Sequence, residues 1–339
     1  MGSAGKIRVL VLTLLLAGCG SAAASDQPEV VRVGYFPNLT HAPALIALAD
    51  GLFADELGER TLEGVTFNAG TEAVEALFSG ALDLAFIGPN PAINAHAQSD
   101  GVAIRIIAGS TSGGAALVVR AGIDSSADLI GTRIATPALG NTQDVALRAW
   151  LRAEGLETDL EGGGEVAVIP QSNAQSLETF RSGEIDGAWV PEPWATRLVL
   201  EGGGKVLVDE RDLWPEGQFV TTHLIVRTEY LEKHPEAVAG VLRGLIRAVD
   251  AVNADPSGSQ ETVNQSIESL TGSALSPEIL TEAWRNLSFT LDPIASSLRK
   301  SADDAVAVGL LDPVDLTQIY ALAPLNQILV ELGRAEVQS

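Results

Sequence analysis

The sequence has little cysteine and little positive charge. Its one cysteine, Cys19, lies near the start, so the rest of the chain has no thiol for a disulfide or a thiolate metal site. Lys and Arg together number 21 against 44 Asp and Glu, which gives a formal net charge of −23. Such a chain lacks the basic field that nucleic-acid phosphates and anionic lipid headgroups require. We therefore expect no nucleic-acid partner and no docking to a bilayer through charge.

The sequence also lacks an apolar run long enough to cross a membrane. The run from Val9 to Leu16 is too short for a transmembrane helix, but it follows two basic residues and precedes small ones, as in a secretory signal. The sequence "LAGC" that ends at Cys19 resembles a bacterial lipobox, in which the chain is cut before the cysteine and the thiol is lipidated. The alternative is a plain signal peptide with a chance cysteine.

We expect residues 1–18 to be the signal peptide and residues 19–29 a flexible tether with a lipid on Cys19. The mature protein would then be exported and held at the outer face of the cytoplasmic membrane.

Two pairs of segments repeat in the same order. "FSGALDLAFIGPNPA" (Phe78 to Ala92) matches "RSGEIDGAWVPEPWA" (Arg181 to Ala195), and each predicts a helix end at Gly, a buried strand and a proline-bounded loop before another helix. "VRVGYFPNLTHAPALIALADGL" likewise matches "GTRIATPALGNTQDVALRAWLRAEGL". The prolines of the two motifs are 52 positions apart in the first half and 54 in the second. Any α/β chain gives strand–loop–helix units at such spacing, but the shared order favours two similar lobes.

The predicted division places residues 30–119 and 222–339, with the C-terminal helices, in lobe 1 and residues 120–221 in lobe 2. Val118 to Ala121 is interpreted as the crossing between lobes, and Gly217 to Leu231 as the return. In open α/β sheets, ligands bind beyond the carboxyl ends of the strands. Four polar loops are thus predicted to line one cleft: Asn38 to His41, Pro89 to Asn94, Gly140 to Asp144, and Trp189 to Trp194.

These segments are similar to the substrate-binding lipoproteins of bacterial ABC importers in the nitrate/sulfonate/taurine/bicarbonate group. The resemblance is strong from about Val31 to Leu231 and weak beyond. It implies a two-lobed, hinged periplasmic-binding-protein fold of type II, in the α/β class, with each lobe an open sheet flanked by helices. It also implies that the protein holds a small organic anion such as an aliphatic sulfonate in the cleft and delivers it to a membrane permease, with no cofactor.

A sulfonate can be held by helix N-termini and neutral donors without a formal countercharge. The candidate loops contain no Lys or Arg, and solvent-facing positions are expected for Arg148 and Arg197 on the helices that follow. His41 could donate to the ligand or cap its own helix. The Thr221, Thr222 and His223 trio is expected on the cleft floor. The candidate ligand-binding residues are Asn38, Thr40, His41, Asn90, Ser112, Gly113, Asn141, Thr142, Gln143, Trp189, Glu192 and Trp194.

Besides His41, three of these candidates keep two interpretations. Glu192 could stabilise the helix that it precedes, or it could pair with an amine, as a taurine-like zwitterion would require. Trp189 could lie in the core or could wall the organic part of a ligand, as could Trp194.

Other functions are also compatible with the pattern. The same fold could bind taurine, nitrate, bicarbonate or a heterocycle such as a riboflavin or thiamine precursor. The architecture also resembles pyrimidine synthases of thiamine biosynthesis, but those use a Cys-rich segment that this chain lacks. The four histidines are scattered and no nucleophile–base motif occurs, so we expect neither an enzyme nor a metal site. A surface sensor is a further alternative. We expect a monomer.

Overall fold

The computed structural model describes residues 1–2 and 29–339. Cys19 therefore lies outside the described residues, as does nearly all of the predicted signal peptide and tether. Within the described part, no helix has both the length and the apolar character needed to span a membrane.

The strands form two separate sheets. In chain order they are β1 (Val30–Tyr35), β2 (Thr61–Thr66), β3 (Leu84–Ile87), β4 (Ile104–Gly113), β5 (Ala115–Val119), β6 (Arg133–Thr136), β7 (Ala167–Pro170), β8 (Gly187–Pro191), β9 (Lys205–Asp209), β10 (Val220–Arg227) and β11 (Leu287–Phe289).

Helices connect the strands and make up most of the chain after β10. Several of them start with proline in the first turn, where the missing N–H is not needed for helical bonding. The helices are α1 (Ala42–Ala49), α2 (Leu52–Leu57), α3 (Gly70–Phe78), α4 (Pro89–Gln98), α5 (Thr142–Ala153), α6 (Asn173–Ser182), α7 (Trp194–Leu200), α8 (Thr228–Lys233), α9 (Pro235–Ala254), α10 (Pro256–Thr271), α11 (Pro277–Trp284), α12 (Ala295–Ala307) and α13 (Ala323–Glu331).

The two sheets share one arrangement. The first has the order β11-β4-β10-β3-β1-β2 and the second β7-β6-β8-β5-β9. In the first, β1 pairs in parallel with β2 and β3, and in the second, β6 pairs in parallel with β7 and β8. An antiparallel strand, β10 or β5, then lies beside β3 or β8. The predicted α/β class, with two open sheets flanked by helices, is confirmed.

Each sheet has apolar packing on both faces. In the first sheet, Val33 and Leu224 pack with α1 and α9, whereas Ala85 and Ile106 pack in a second cluster. In the second sheet, one cluster contains Trp189 and the other contains Phe180. Because both faces are covered, the polar loops at the strand ends are left as the place where the sheets can meet a small molecule.

The chain crosses between sheets earlier than the sequence predicted. β4 lies in the first sheet and β5 in the second, so the crossing falls at Gly114, and Val118 is in the middle of a paired strand. Gly113 and Gly114 both have positive φ, which lets the chain turn from one sheet to the other. The return runs through residues 210–219, before β10. The boundary predicted after residue 119 therefore assigns β5 to lobe 1, although β5 pairs with strands of the second sheet.

Trp189 and Glu210 form a buried polar pair in the second lobe. The indole Nε1 of Trp189 donates to Glu210 Oε2 at 2.7 Å, and both side chains are buried. Burial raises the pKa of Glu210 to about 7 from its ordinary 4.5, against the opposing effect of the hydrogen bond from Trp189. The carboxyl group is therefore protonated in the native protein at pH values where the unfolded chain has already released its proton.

Replacing Glu210 with Gln should make the free energy of unfolding less dependent on pH. A pKa raised in the native state adds stability that is complete below pH 4.5 and is lost as the pH rises through about 7. Each unit of pKa difference corresponds to about 1.4 kcal/mol. Urea unfolding of the parent at several pH values from about 5 to 8 should show falling stability, and the variant a flatter curve.

The matched control is Glu278→Gln, which removes the charge of an exposed carboxylate on α11. It should keep the slope of the parent. Equal slopes in all three proteins would contradict the assignment of the titrating group to Glu210.

Candidate functional site

A small polar cavity lies between the two lobes. It has a volume of about 30 Å³, and loops at the carboxyl ends of β1, β2, β3, β6 and β7 surround it. Its lining contains no Asp, Glu, Lys or Arg. The lining residues are Phe36, Asn38, Thr40, His41, Asn68, Gly88, Pro137, Asn141, Thr142, Gln143, Asn173, Pro191 and Thr221.

Two larger grooves do not share this construction. They have volumes of about 730 and 700 Å³ and lie beside α12 and the segment after it. Both are formed by the first lobe alone, and acidic side chains such as Asp303, Asp312 and Asp315 lie in their walls. The groove between α7 and α11 is lined by both lobes, but it contains Glu192, Asp209, Glu278 and Glu282. The smaller cavity differs from it because uncharged polar loops at the strand ends of both lobes meet there.

The first lobe contributes Asn38, Thr40 and His41. They follow β1 and continue into a short 3₁₀ turn, Leu39–His41, before α1. All three side chains are buried, and Thr40 is held further by its carbonyl, which accepts from the Thr222 hydroxyl at 2.9 Å. These residues were predicted to line the cleft, and the structure brings them together there.

His41 is a neutral donor in this cavity. Burial lowers its pKa to about 3, so the imidazole carries no charge at neutral pH. Its Nδ1 accepts from the backbone N–H of Phe36 at 3.4 Å, which places its hydrogen on Nε2. The side chain makes no cap bond to the helix that follows. His41 can therefore offer an N–H to an acceptor without attracting it by charge.

The second lobe contributes Asn141, Thr142 and Gln143 at the start of α5. Asn141 precedes the helix, and the next two residues are its first turn. The first N–H groups of a helix have no acceptor within the helix and carry partial positive charge. The Thr142 hydroxyl is buried and has no hydrogen-bond partner among the residues that the structure describes. These three residues were predicted to face the cleft, and all three lie in the wall of the cavity.

Gly88 and Thr142 bring the lobes into direct contact. A Cβ built on Gly88, at the end of β3, would overlap the hydroxyl oxygen of Thr142. The first-lobe loop can therefore approach the start of α5 only because residue 88 has no side chain.

Two asparagines that were not predicted also line the cavity. Asn68 lies between β2 and α3, and Asn173 is the first residue of α6, after β7. Since β2 and β7 occupy the same place in their sheets, these residues approach the cavity from corresponding directions. The signal was present in the second strand–loop–helix unit of each half, which contains "FNAGTEAVEALF" or "PQSNAQSLETF".

Two predicted residues lie away from the cavity because of their side-chain direction. Trp189 is fully buried in the core of the second lobe, which decides between its two interpretations. Asn90 is in the first turn of α4, but its side-chain amide donates to the carbonyl of Ser301 on α12 at 3.1 Å. Neither side chain lines the cavity.

Ser112 and Gly113 belong to the crossing and do not line the cavity. Ser112 Oγ accepts from the N–H of Phe219 at 3.3 Å, and the Gly113 carbonyl accepts from the hydroxyl of Thr221. Of the trio after the return, Thr221 lines the cavity and Thr222 holds Thr40, whereas His223 bonds to the carbonyl of Pro293 at 3.0 Å.

Glu192 faces away from the cavity. Its carboxylate accepts from the N–H and hydroxyl of Thr196 on α7, at 3.1 and 3.0 Å, and from the amide of Asn286 at 2.7 Å. Burial raises the pKa of Glu192 to about 7, and the bonds from Asn286 and Thr196 oppose this. Because Asn286 belongs to the first lobe, Glu192 links the lobes on a different face, beside the groove between α7 and α11.

Trp194 acts on the cavity through Asn38. Its indole Nε1 donates across the lobes to Asn38 Oδ1 at 3.0 Å, while the guanidinium of Arg197 lies 4.7 Å from the centre of its ring. The side chain itself is not in the lining.

The two arginines that were expected to face solvent differ. Arg197 is partly exposed and pairs with Glu201, but Arg148 is buried.

Comparison with known proteins places this arrangement in a family. The family model described as "NMT1-like family" matches residues 24–267. The taurine-binding periplasmic protein of Escherichia coli (strain K12) is 32% identical over 71% of this chain and 72% of its own length. A putative aliphatic sulfonates-binding protein of the same organism is 30% identical over 70% and 71%.

Solved structures share the fold. The alkanesulfonate-binding protein SsuA from Xanthomonas axonopodis pv. citri superposes with a TM-score of 0.73 at 22% identity, over 88% of this chain and 99% of that one. The likeness confirms the predicted periplasmic-binding-protein fold. Because the family model matches most of this chain, the chain belongs to the NMT1-like family.

Proposed function

We propose that this chain is the solute-binding component of an ABC importer, which captures a small organic anion such as an aliphatic sulfonate between its lobes. The observation that carries this proposal is the lining of the cavity. It collects neutral hydrogen-bond donors and the start of α5, and it contains no carboxylate that would repel an anion.

The donors suit a tetrahedral anion. Asn38, Asn141 and Gln143 have amide N–H groups, and Thr40 and Thr142 have hydroxyls. His41 adds an N–H while remaining uncharged. Hydrogen bonds from neutral donors to an ionised acceptor are shorter and stronger than those between neutral groups. A sulfonate oxygen can therefore be bound from both lobes without a lysine or arginine in contact.

The likeness to sulfonate-binding and taurine-binding proteins supports the same class of ligand. The related proteins are binding proteins and not enzymes by name, and the first is periplasmic. Export is therefore part of the proposal, together with a lipid anchor on Cys19, a permease as partner, and a monomeric state.

Closure of the lobes around the ligand is the proposed mechanism. Donors for the anion come from both lobes, which are joined at Gly114 and through residues 210–219. A ligand bound by both sides stabilises the closed arrangement over the open one, to the extent that it binds the closed arrangement more tightly. The permease would recognise the closed form.

Replacing Asn141 and Thr142 together with Ala should weaken binding of methanesulfonate by roughly tenfold or more, because two donors to an ionised group are lost. Isothermal titration calorimetry of the protein without its predicted signal peptide, residues 1–18, measures the affinity directly. A thermal-shift assay gives a second measure, since ligand at about 100 times its dissociation constant adds roughly 2.7 kcal/mol to the free energy of unfolding.

The matched control removes the same kinds of group from α10, through Thr262→Ala with Gln265→Ala. It should bind like the parent. Unchanged affinity in the Asn141 and Thr142 double variant would remove the start of α5 from the site. Failure of the parent to bind any sulfonate would overturn the proposed ligand class.

Taurine is a second candidate, because the related protein of 32% identity is named for it. An amine needs an acceptor, and the lining offers only neutral oxygens such as those of Asn68 and Asn173. The Oδ1 of Asn173 is buried without a hydrogen-bond partner among the described residues. An amide oxygen at this position suits an ammonium or hydroxyl donor, although less strongly than a carboxylate would.

Replacing Glu192 with Gln should change the affinities for taurine and for ethanesulfonate by the same factor. The carboxylate bonds to Thr196 and Asn286 and does not line the cavity, so it can affect both ligands only through lobe closure. Titration of both ligands into parent and variant measures the ratio. A selective loss of taurine binding would show instead that Glu192 pairs with the amine.

A further inference from the structure

A buried ion pair lies directly behind the start of α5. Arg148 Nε is 3.1 Å from Asp144 Oδ2, and the two side chains are 1% and 0% exposed. Asp144 lies in the first turn of α5 and Arg148 one turn later, and neither residue lines the cavity. A salt bridge removed this far from water is costly unless both partners are well satisfied, so its position next to the cavity requires an explanation.

Asp144 fixes the loop that carries the donors. Its Oδ1 accepts from the hydroxyl of Thr136 at the end of β6, at 2.8 Å, and its Oδ2 accepts from the backbone N–H of Gly140 at 3.0 Å. These two bonds hold the segment from Pro137 to Asn141 between strand and helix. The same residue therefore positions the loop and adds a negative charge close to a site that is proposed to attract an anion.

Arg148 supplies the opposite charge. Besides its contact with Asp144, its Nη1 donates to the carbonyl of Asp159 at 2.6 Å, which anchors the guanidinium in place. Among the described residues, Asp144 is the carboxylate with which Arg148 forms an ion pair. The interaction between charges is strong in a buried setting, so an unpaired Asp144 would oppose an anion at the nearby helix start.

We propose that Arg148 is a positioning residue that cancels the charge of Asp144, so that the start of α5 can attract the anionic ligand although no cation touches it. The inference rests on the proposed function and deepens it, because it names the source of the charge balance at that site. The affinity for an anion should then follow the net charge of the pair.

The experiment compares methanesulfonate affinity in four variants of the chain. Arg148→Met leaves the pair with a net negative charge and should weaken binding by roughly tenfold, because charges in a buried, partly screened setting interact more strongly than in water. Arg148→Lys keeps the positive charge but loses the planar guanidinium with its several N–H donors, and should bind like the parent. Asp144→Asn with Arg148→Met makes the pair neutral again and should restore affinity to within a few-fold of the parent.

The fourth variant, Asp144→Asn, covers the case in which Arg148→Met does not fold. It differs from the double variant in keeping the Arg148 guanidinium, with its positive charge and its bond to the carbonyl of Asp159, and should bind the anion more tightly than the double variant does. Circular dichroism and thermal unfolding of every variant establish that the folded proteins are being compared.

Two results would overturn the inference. If Arg148→Lys is as weak as Arg148→Met, the guanidinium acts through its geometry and not through its charge. If the double variant stays as weak as Arg148→Met, or binds as tightly as Asp144→Asn, affinity does not follow the charge of the pair. Failure of the parent itself to bind methanesulfonate would instead count against the proposed function.

Discussion

The carboxylate of Asp144 is the group on which the second-lobe side of the cavity depends. It joins the end of β6, the loop after it and the first two turns of α5 through bonds to Thr136, Gly140 and Arg148. A buried carboxylate that lost one of these partners would be left with part of its charge unsatisfied, at a cost of several kcal/mol. These bonds therefore hold the loop in the arrangement that places the start of α5 at the cavity, beside Gly88 of the first lobe.

The sequence predicted which loops lie together at the carboxyl ends of the strands better than it predicted where individual side chains point. The repeated strand–loop–helix motifs identified Asn38, Thr40 and His41 in one lobe, and Asn141 to Gln143 in the other, because parallel strands end at the same edge of a sheet. Trp189 could not be placed in the same way. Both faces of β8 are core, so alternation along the strand does not tell whether a tryptophan near its end is buried or faces the cleft. The burial of Trp189 depends on Trp150 and Glu210, which come from other parts of the chain.

The sequence also did not predict the surroundings of Arg148 or the partner of Glu192. Arg148 was expected to face solvent because a charge on a helix usually does, but α12 of the first lobe packs against α5 and covers that surface. Glu192 and Asn286 are likewise 94 positions apart and meet only through the docking of the lobes. A carboxylate between two prolines gives no indication of such a partner. Contacts between the lobes thus decide which polar residues serve the cavity and which hold the lobes together.

The contact between Gly88 and Thr142 limits which substitutions can change the size of the cavity. At this point the backbone of Gly88 lies against the side chain of Thr142, so a side chain at position 88 would have to displace Thr142 or move the lobes apart. Ligand size must then be altered elsewhere in the lining. Asn68 and Asn173 line the cavity from the two lobes, and exchanging their side chains would change the space for a ligand without adding bulk at the Gly88 contact.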